Sequence, residues 1–314
     1  MNDFVKQYDT KHKIQRLYVH WDVSTQCNFK CTYCYAMKEY GERWGNIDDW
    51  NKQELVIKAL QRSTLPVFLG LLGGEPTIHP RYSELVSRCY EAIDKHADGR
   101  LYVTTNGSRK NDFFEKHQVF DKMYLLFSFH PEYKHIYGKE FKKFITNVSI
   151  SRQKGIKCKV NVMLHHDKQY WDDIHMLVDQ LESIPGVEIH PHLLYADGDV
   201  HKLVNYGEDF FKEFKRFESY PNYFVYEKRD GTRTVLNDYT LFNNKYNSFT
   251  GWDCWNNNYE ISYDGIVHRV CFEDRSDLVR DPFYFKKIGR VCPVKCPHNE
   301  CNCDGLLKIY KETH

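Results

Sequence analysis

Residues 17–36 read LYVHWDVSTQCNFKCTYCYA, and the fold turns on this stretch. Leu17, Val19, Trp21 and Val23 alternate with Tyr18, His20, Asp22 and Ser24, the period of two that sends successive side chains to opposite faces of a strand. Directly after that strand, Cys27, Cys31 and Cys34 stand in a C-x3-C-x2-C spacing, followed at once by Tyr35. Three thiolates on one short loop can hold three irons of a cubane and leave the fourth iron open to a small molecule. The same triplet suits a structural zinc ion, which takes Cys3His sets.

The strand pattern recurs outward from this stretch. From Leu17 to about Tyr195, short apolar strands alternate with amphipathic helical stretches, the rhythm of βα units around a parallel sheet. Further strands are expected at Val67–Leu72, Leu101–Thr105, Met123–Phe129, Ile156–Leu164 and Val187–Leu194, with helices such as Asp49–Arg62, Tyr82–Lys95 and Trp171–Leu181 between them. In the fifth strand Ile156, Cys158, Val160, Val162 and Leu164 oppose Lys157, Lys159, Asn161, Met163 and His165; in the sixth Val187, Ile189 and Leu193 oppose Glu188, His190 and His192. With the apolar face under helices, the other face sends polar groups inward, which implies a ligand cavity where a closed barrel would pack aliphatic side chains. His20, Asp22, His165, His190 and His192 are the candidates to orient a substrate or move a proton there.

Composition narrows the function classes. The 314 residues carry 44 Lys and Arg against 43 Asp and Glu, without the basic excess that duplex-binding proteins use on phosphates. The first residues are charged and the longest apolar run, Leu65 to Leu72, is far too short to span a bilayer, so neither secretion nor membrane insertion is indicated. The eleven cysteines concentrate in two clusters, which fits metal binding in a reducing compartment better than a disulfide framework. Cys89 and Cys158 fall inside a predicted helix and strand and read as buried small hydrophobes.

Beyond Tyr195 the βα rhythm stops. Phe210, Phe211, Phe214 and Phe217 sit at helical spacing and read as core. Tyr223 to Lys228 and Thr232 to Leu236 flank Arg229-Asp230-Gly231, a hairpin signal. Cys254, Cys271, Cys292, Cys296, Cys301 and Cys303 follow, and such close spacing beside His298 is also what a zinc knuckle looks like.

The cysteine motif, with Tyr33 before its third cysteine, and Gly73-Gly74-Glu75-Pro76 one βα unit later resemble the radical S-adenosylmethionine (SAM) superfamily over roughly residues 15–195. The resemblance implies an α/β protein with a partial (βα)6 TIM-like barrel and a cytoplasmic enzyme that cleaves SAM reductively. The resulting 5'-deoxyadenosyl radical would abstract hydrogen from an organic substrate. The SAM-binding 4Fe-4S cluster would rest on Cys27, Cys31 and Cys34. Tyr33 would meet the adenine, Gly73, Gly74, Glu75 and Pro76 the ammonium, and Asn106, Ser128 and His130 the ribose and carboxylate. Asn161, Met163 and Leu194 match such contacts more loosely. A low-potential donor such as flavodoxin or ferredoxin is implied as a partner.

Cys254 and Cys271, joined through Tyr259 to Tyr263 and the turn Asp264-Gly265, resemble the opening of a SPASM or twitch domain. The full SPASM pattern has seven cysteines, and the closing x3, x4 and x1 spacing here departs from it. One auxiliary 4Fe-4S cluster on Cys254, Cys271 and two of Cys296, Cys301 and Cys303 is therefore expected, with Cys292 left over and zinc the alternative. The expected division is a barrel at 1–196, an aromatic-rich connecting segment at 197–250 and a small cysteine-rich C-terminal auxiliary domain at 251–314. An auxiliary cluster that accepts an electron would favour oxidation or bond formation on a peptide or small polar metabolite. A nucleoside, base or sugar stacked on the segment from Tyr195 to Trp255 is the other substrate class. With about sixteen residues before the first strand, a peptide substrate is expected to need a separate recognition protein or direct docking on the aromatic segment from Tyr195 to Trp255. Two rivals are a non-catalytic metal-binding protein and an electron carrier, the latter opposed by Gly73 to Pro76.

Overall fold

In the computed structural model, which describes residues 3–36, 41, 49–199, 202–220, 224–272, 274–297, 300–301 and 307–314, with the side chain of Asp238 excepted, the alternating strands line up in one sheet. After β1 (Phe4–Asp9) come β2 (Leu17–Asp22), α1 (Trp50–Gln61), β3 (Val67–Leu72), α2 (Tyr82–Asp94), β4 (Arg100–Thr105), α3 (Asn111–Lys116), β5 (Met123–Phe129), α4 (Lys142–Gln153), β6 (Lys157–Leu164), α5 (Trp171–Glu182) and β7 (Val187–Leu193). Strands β2 to β7 pair in parallel and in sequence order. A helix bridges each step, as parallel neighbours require.

The period-two pattern is realised in burial. Leu17, Val19 and Trp21 of β2 and Cys158, Val160, Val162 and Leu164 of β6 are buried, while His20, Lys159, Asn161 and Met163 on the opposite face are half-buried. The helices supply the cover: Leu85, Val86, Cys89, Ala92 and Ile93 of α2 are buried at three- and four-residue spacing. The other face is not polar throughout. Towards the amino ends, Tyr18, Phe68, Tyr102 and Tyr124 meet with ring centroids 5.2–6.1 Å apart, and Tyr102 lies over Gly70, where a side chain would collide with it.

The remainder of the chain contributes α6 (Glu208–Glu213), β8 (Phe224–Lys228), β9 (Arg233–Leu236), α7 (Asp238–Asn243), β10 (Asp253–Cys254), β11 (Asn258–Ile261), β12 (Ile266–Arg269), β13 (Arg275–Asp277), α8 (Tyr284–Lys287), β14 (Val294–Lys295) and β15 (Lys311–Glu312). The β8–β9 hairpin turns at Arg229 to Gly231 as its sequence indicates. Phe210, Phe214 and Phe217 are fully buried, although α6 ends at Glu213 and a 3-10 turn carries Phe217.

One expectation is corrected, and the sheets run across the expected divisions of the chain. The first strand is not β2: the polar segment Phe4–Asp9 pairs antiparallel with β8 and β15. It lacks an apolar face because its fully buried residue is Gln7, whose amide bonds the Leu307 carbonyl at 2.5 Å and the Lys311 ammonium at 3.2 Å. The divisions at 196 and 250 also do not follow the sheets. Strand β11 adds to the parallel sheet beside β2, extended by β12 and β13, whereas β1 joins β8, β9, β10, β14 and β15 in a second, antiparallel sheet. Among the described residues, no helix is long and apolar enough to cross a membrane.

Candidate active site and metal centres

The cysteine loop leaves the carboxyl end of β2, where the parallel strands bring several further loops together. Its backbone is anchored by the next strand: Gly74 N–H donates to the Ser24 carbonyl at 2.6 Å and Glu75 N–H to the Gln26 carbonyl at 2.7 Å. The two glycines permit that approach. A side chain at Gly73, which has φ 112°, would come within 2.2 Å of the Ser24 oxygen, and one at Gly74 within 1.8 Å of the Gln26 oxygen.

Glu75 is fully buried and its carboxylate faces the protein. It accepts from Thr77 N–H at 3.1 Å, Thr105 hydroxyl at 2.8 Å, Asn106 N–H at 2.6 Å and the Thr77 hydroxyl. Burial raises its pKa against the pull of these donors. Pro76 begins a short 3-10 turn and is buried, while Gly73 and Gly74 are half-buried. Asn106 is a strut: its amide nitrogen donates to the Asn28 side chain at 2.9 Å, and its oxygen accepts from Ser108 N–H. What the four-residue motif does in this arrangement is lock the cysteine loop to β3 and β4.

Cys31 is buried, and Cys27 and Cys34 are half-buried. Burial pushes the Cys27 thiol up to about 12 and the Cys31 thiol higher still; Cys34 adds to both rises, and Cys27 to that of Cys31. Such thiols stay protonated on their own and lose the proton to a bound metal, so the donor set fits an iron-sulfur group. Among the described residues no three or more His, Cys, Asp or Glu converge as they would around a single ion.

Around the loop stands a set of rings. His130 Nδ1 lies 3.3 Å from Cys31 Sγ and 3.0 Å from the Tyr33 hydroxyl. Burial, opposed by Glu132, holds His130 at about 4, so the ring is neutral at pH 7. The Tyr33 ring is 5.9 Å from both His130 and His165. Glu132, which sequence reading missed, ties the set together: it accepts from Thr32 N–H at 3.0 Å and from the Thr32 hydroxyl and faces His165 Nε2 at 3.4 Å. Nothing in its local sequence marks it, since its role depends on a loop a hundred residues away. A side chain at Gly198 would meet the Cys34 carbonyl at 2.8 Å, so the loop after β7 packs on the cysteine loop as well.

The other candidates fall into separate places. Ser128, Asn161 and His190 form one row across β5, β6 and β7, with His190 Nδ1 3.2 Å from the Asn161 amide oxygen. His192 is one step further along β7, its ring 6.1 Å from His190 and 5.9 Å from Tyr195. Asp22 accepts from the Tyr35 hydroxyl at 3.2 Å. His20 lies lower, beside Tyr102, away from the cysteine loop.

The C-terminal cysteines gather elsewhere. Cys254 on β10, Cys271 after β12, Cys296 after β14 and Cys301 line one small cavity together with Lys311. Cys292 is exposed and not part of that lining, and Cys303 and His298 lie outside the described residues. Lys311 is fully buried, with its ammonium 3.1 Å from the Ile309 carbonyl and 4.8 Å from the Phe249 ring centroid. Burial raises the Cys254 thiol, and the charges of Lys311 and Arg269 oppose that rise. Four thiol donors with a buried cation beside them suit an anionic metal-thiolate group.

No curated protein matches the sequence. Solved structures do, at identities that speak for the fold alone. Native anSMEcpe with bound AdoMet is 16% identical, with 87% of this chain and 81% of that one covered and a TM-score of 0.53. Its complex with AdoMet and the Kp18Cys peptide gives 14%, 88%, 81% and 0.54. Streptococcus suis SuiB is 15% identical over 86% of this chain, which spans 65% of the SuiB length, with a TM-score of 0.44. The family model described as the Radical SAM superfamily matches residues 21–181, from the strand that launches the cysteine loop to the last helix of the parallel run. A loop of three cysteines fixed to the ends of parallel strands, and a family match over more than half of its length, place the chain in the radical SAM superfamily, whose members are enzymes that use SAM and a 4Fe-4S cluster.

Proposed function

We propose that the chain is an oxidative radical SAM enzyme of the cytoplasm, with its SAM-binding 4Fe-4S cluster on Cys27, Cys31 and Cys34. An auxiliary 4Fe-4S cluster would rest on Cys254, Cys271, Cys296 and Cys301. In this reading the parallel strands form a partial barrel, and the segment from 251 onwards acts as the twitch-like auxiliary unit. The observation that carries it is the cysteine loop anchored at the carboxyl end of β2 by Gly74, Glu75 and Asn106.

When bound, the cluster and SAM supply a 5'-deoxyadenosyl radical able to take hydrogen from a substrate carbon. The residues around them have positional work. His130 holds the Tyr33 hydroxyl and so sets the ring beside the loop. Ser128, Asn161 and His190 offer hydrogen bonds to SAM or substrate, with His165 and His192 at the rim. The aromatic floor keeps water from the amino ends of the strands. Asp22 and His20 are less well placed for proton transfer to a group held at the loop.

A peptide is the favoured substrate, because the solved anSMEcpe complex of similar fold holds one alongside AdoMet. A separate recognition protein would present it. Stacking of a sugar or nucleoside on the segment from Tyr195 to Trp255 is the second reading; Phe210, Phe214 and Phe217 are buried in the core and take no part in it. The electron comes from a low-potential carrier such as flavodoxin or ferredoxin.

The test is anaerobic reconstitution with iron and sulfide, metal counting, and a search for 5'-deoxyadenosine with and without candidate peptides. Cys31→Ala should abolish its formation. Cys254→Ala should spare SAM cleavage and reduce iron by about one cluster. A wild-type protein that binds no iron at the first motif would overturn the proposal; zinc in place of iron at the second would remove the auxiliary cluster from it.

A further inference from the structure

We infer that a basic hollow beside the cysteine loop is the docking site of an acidic electron-carrier protein. The inference rests on the reading of the chain as a reductively activated enzyme. The hollow, about 750 Å³, lies between α2, α3 and the start of α4. Arg109, Lys110, Lys116 and Lys143 line it against one carboxylate, Asp112, which pairs with Lys116 at 3.5 Å. Arg109 and Lys110 are exposed, and Lys143 is half-buried with its pKa lowered by burial and by neighbouring Lys110. Four cations gathered around a single carboxylate gain by meeting an anionic surface, and the gain shrinks with salt.

The wall also contains Asn28, the residue after Cys27, whose amide donates to the Ser108 hydroxyl at 2.8 Å. A carrier seated in the hollow thus touches the cysteine loop itself. It does so from the helix side, leaving the face where Tyr33, His130 and His165 gather open to SAM and substrate. One electron would pass from the carrier, oxidised by one electron, to the 4Fe-4S cluster that Cys27, Cys31 and Cys34 would hold, reduced by one electron, with no bond formed or broken in the docked complex.

Flavodoxin is the probe. Its Kd for the reconstituted wild-type protein should weaken steeply as salt is raised, and Lys110→Glu combined with Lys143→Glu should weaken it at least tenfold at low salt. Arg109→Glu, at an exposed position, should weaken it in the same direction without relying on the half-buried lysine. Formation of 5'-deoxyadenosine driven by dithionite should be unchanged in these variants, while the flavodoxin-driven rate falls. An unaltered flavodoxin Kd in both variants overturns the inference, as does inorganic phosphate filling the hollow without displacing flavodoxin. Absence of 5'-deoxyadenosine from wild type with dithionite would instead strike the proposed function, and the Kd comparison would still decide the docking site.

Discussion

At Gly74 a single added methyl would stand 1.8 Å from the Gln26 carbonyl oxygen, and that oxygen is backbone with nowhere to go. Gly74→Ala should therefore cost about 3 kcal/mol and shift the cysteine loop, seen as a lower Tm and as less iron per chain after reconstitution. Glu75 tells the complementary story. Its carboxylate is occupied by four protein donors, so Glu75→Gln, which turns one acceptor into a donor facing donors, should lower stability by about 2 kcal/mol even without SAM. An unchanged Tm in SAM-free Glu75→Gln would mean that these hydrogen bonds carry no structural weight. From sequence, the glycines and the glutamate were legible as a motif, but their task was read as contact with SAM's ammonium. That they brace the loop is invisible in one dimension, because their partners Ser24, Gln26 and Asn106 are brought to them only by strand pairing.

Among elements, β11 pairs with β2, and the residue just before it ties that edge to the segment ahead of β2 through one side chain. Asn257 is fully buried; its amide nitrogen donates to the carbonyls of Lys13, Ile14 and Arg16, and its oxygen lies 3.0 Å from His12 Nε2. Asn257→Leu takes this donor from all three carbonyls, of which that of Lys13 keeps a bond from Arg16 N–H, and should destabilise the protein by about 3 kcal/mol, measurable as a lower urea midpoint; a midpoint within error of wild type would show that water replaces the amide. Elements of this kind mark the boundary of what the sequence discloses. Strands β3 and β5 begin and end where Val67–Leu72 and Met123–Phe129 suggest, since each is a short apolar run bounded by polar or turn-forming residues. Strand β1 is no such run: its buried Gln7 is satisfied by distant Leu307 and Lys311, and its buried Asp9 accepts from Lys11 N–H. The two-residue strands β10, β14 and β15 are too short to have a pattern at all, which is why the cavity they build around Cys254 was legible only as a list of cysteines.

For the whole molecule, buried neutral histidines set the response to acid. His12 is held at about 3, chiefly by burial and then by Lys311, and His117 is lowered by burial while it accepts from the Tyr82 hydroxyl at 2.6 Å. Their pKa values in the fold lie below those of the unfolded chain, so above about pH 6.5 both states are neutral and nothing is gained or lost. Below it the unfolded chain takes up protons that the fold refuses, and stability falls with a slope of up to ~1.4 kcal/mol per pH unit for each histidine still neutral in the fold, down to about pH 3 for His12. Urea midpoints measured from pH 7 to pH 5 should decline, and His12→Gln should flatten the decline. A profile level across that range would show that both rings titrate normally. The aromatic floor has a consequence of its own. Tyr18, Phe68, Tyr102 and Tyr124 pack over the amino ends of the strands and leave no route between those rings. On the proposed reading, cofactor and substrate then share the mouth at the carboxyl ends, and spent cofactor held behind substrate should inhibit with a strength that depends on the order of addition.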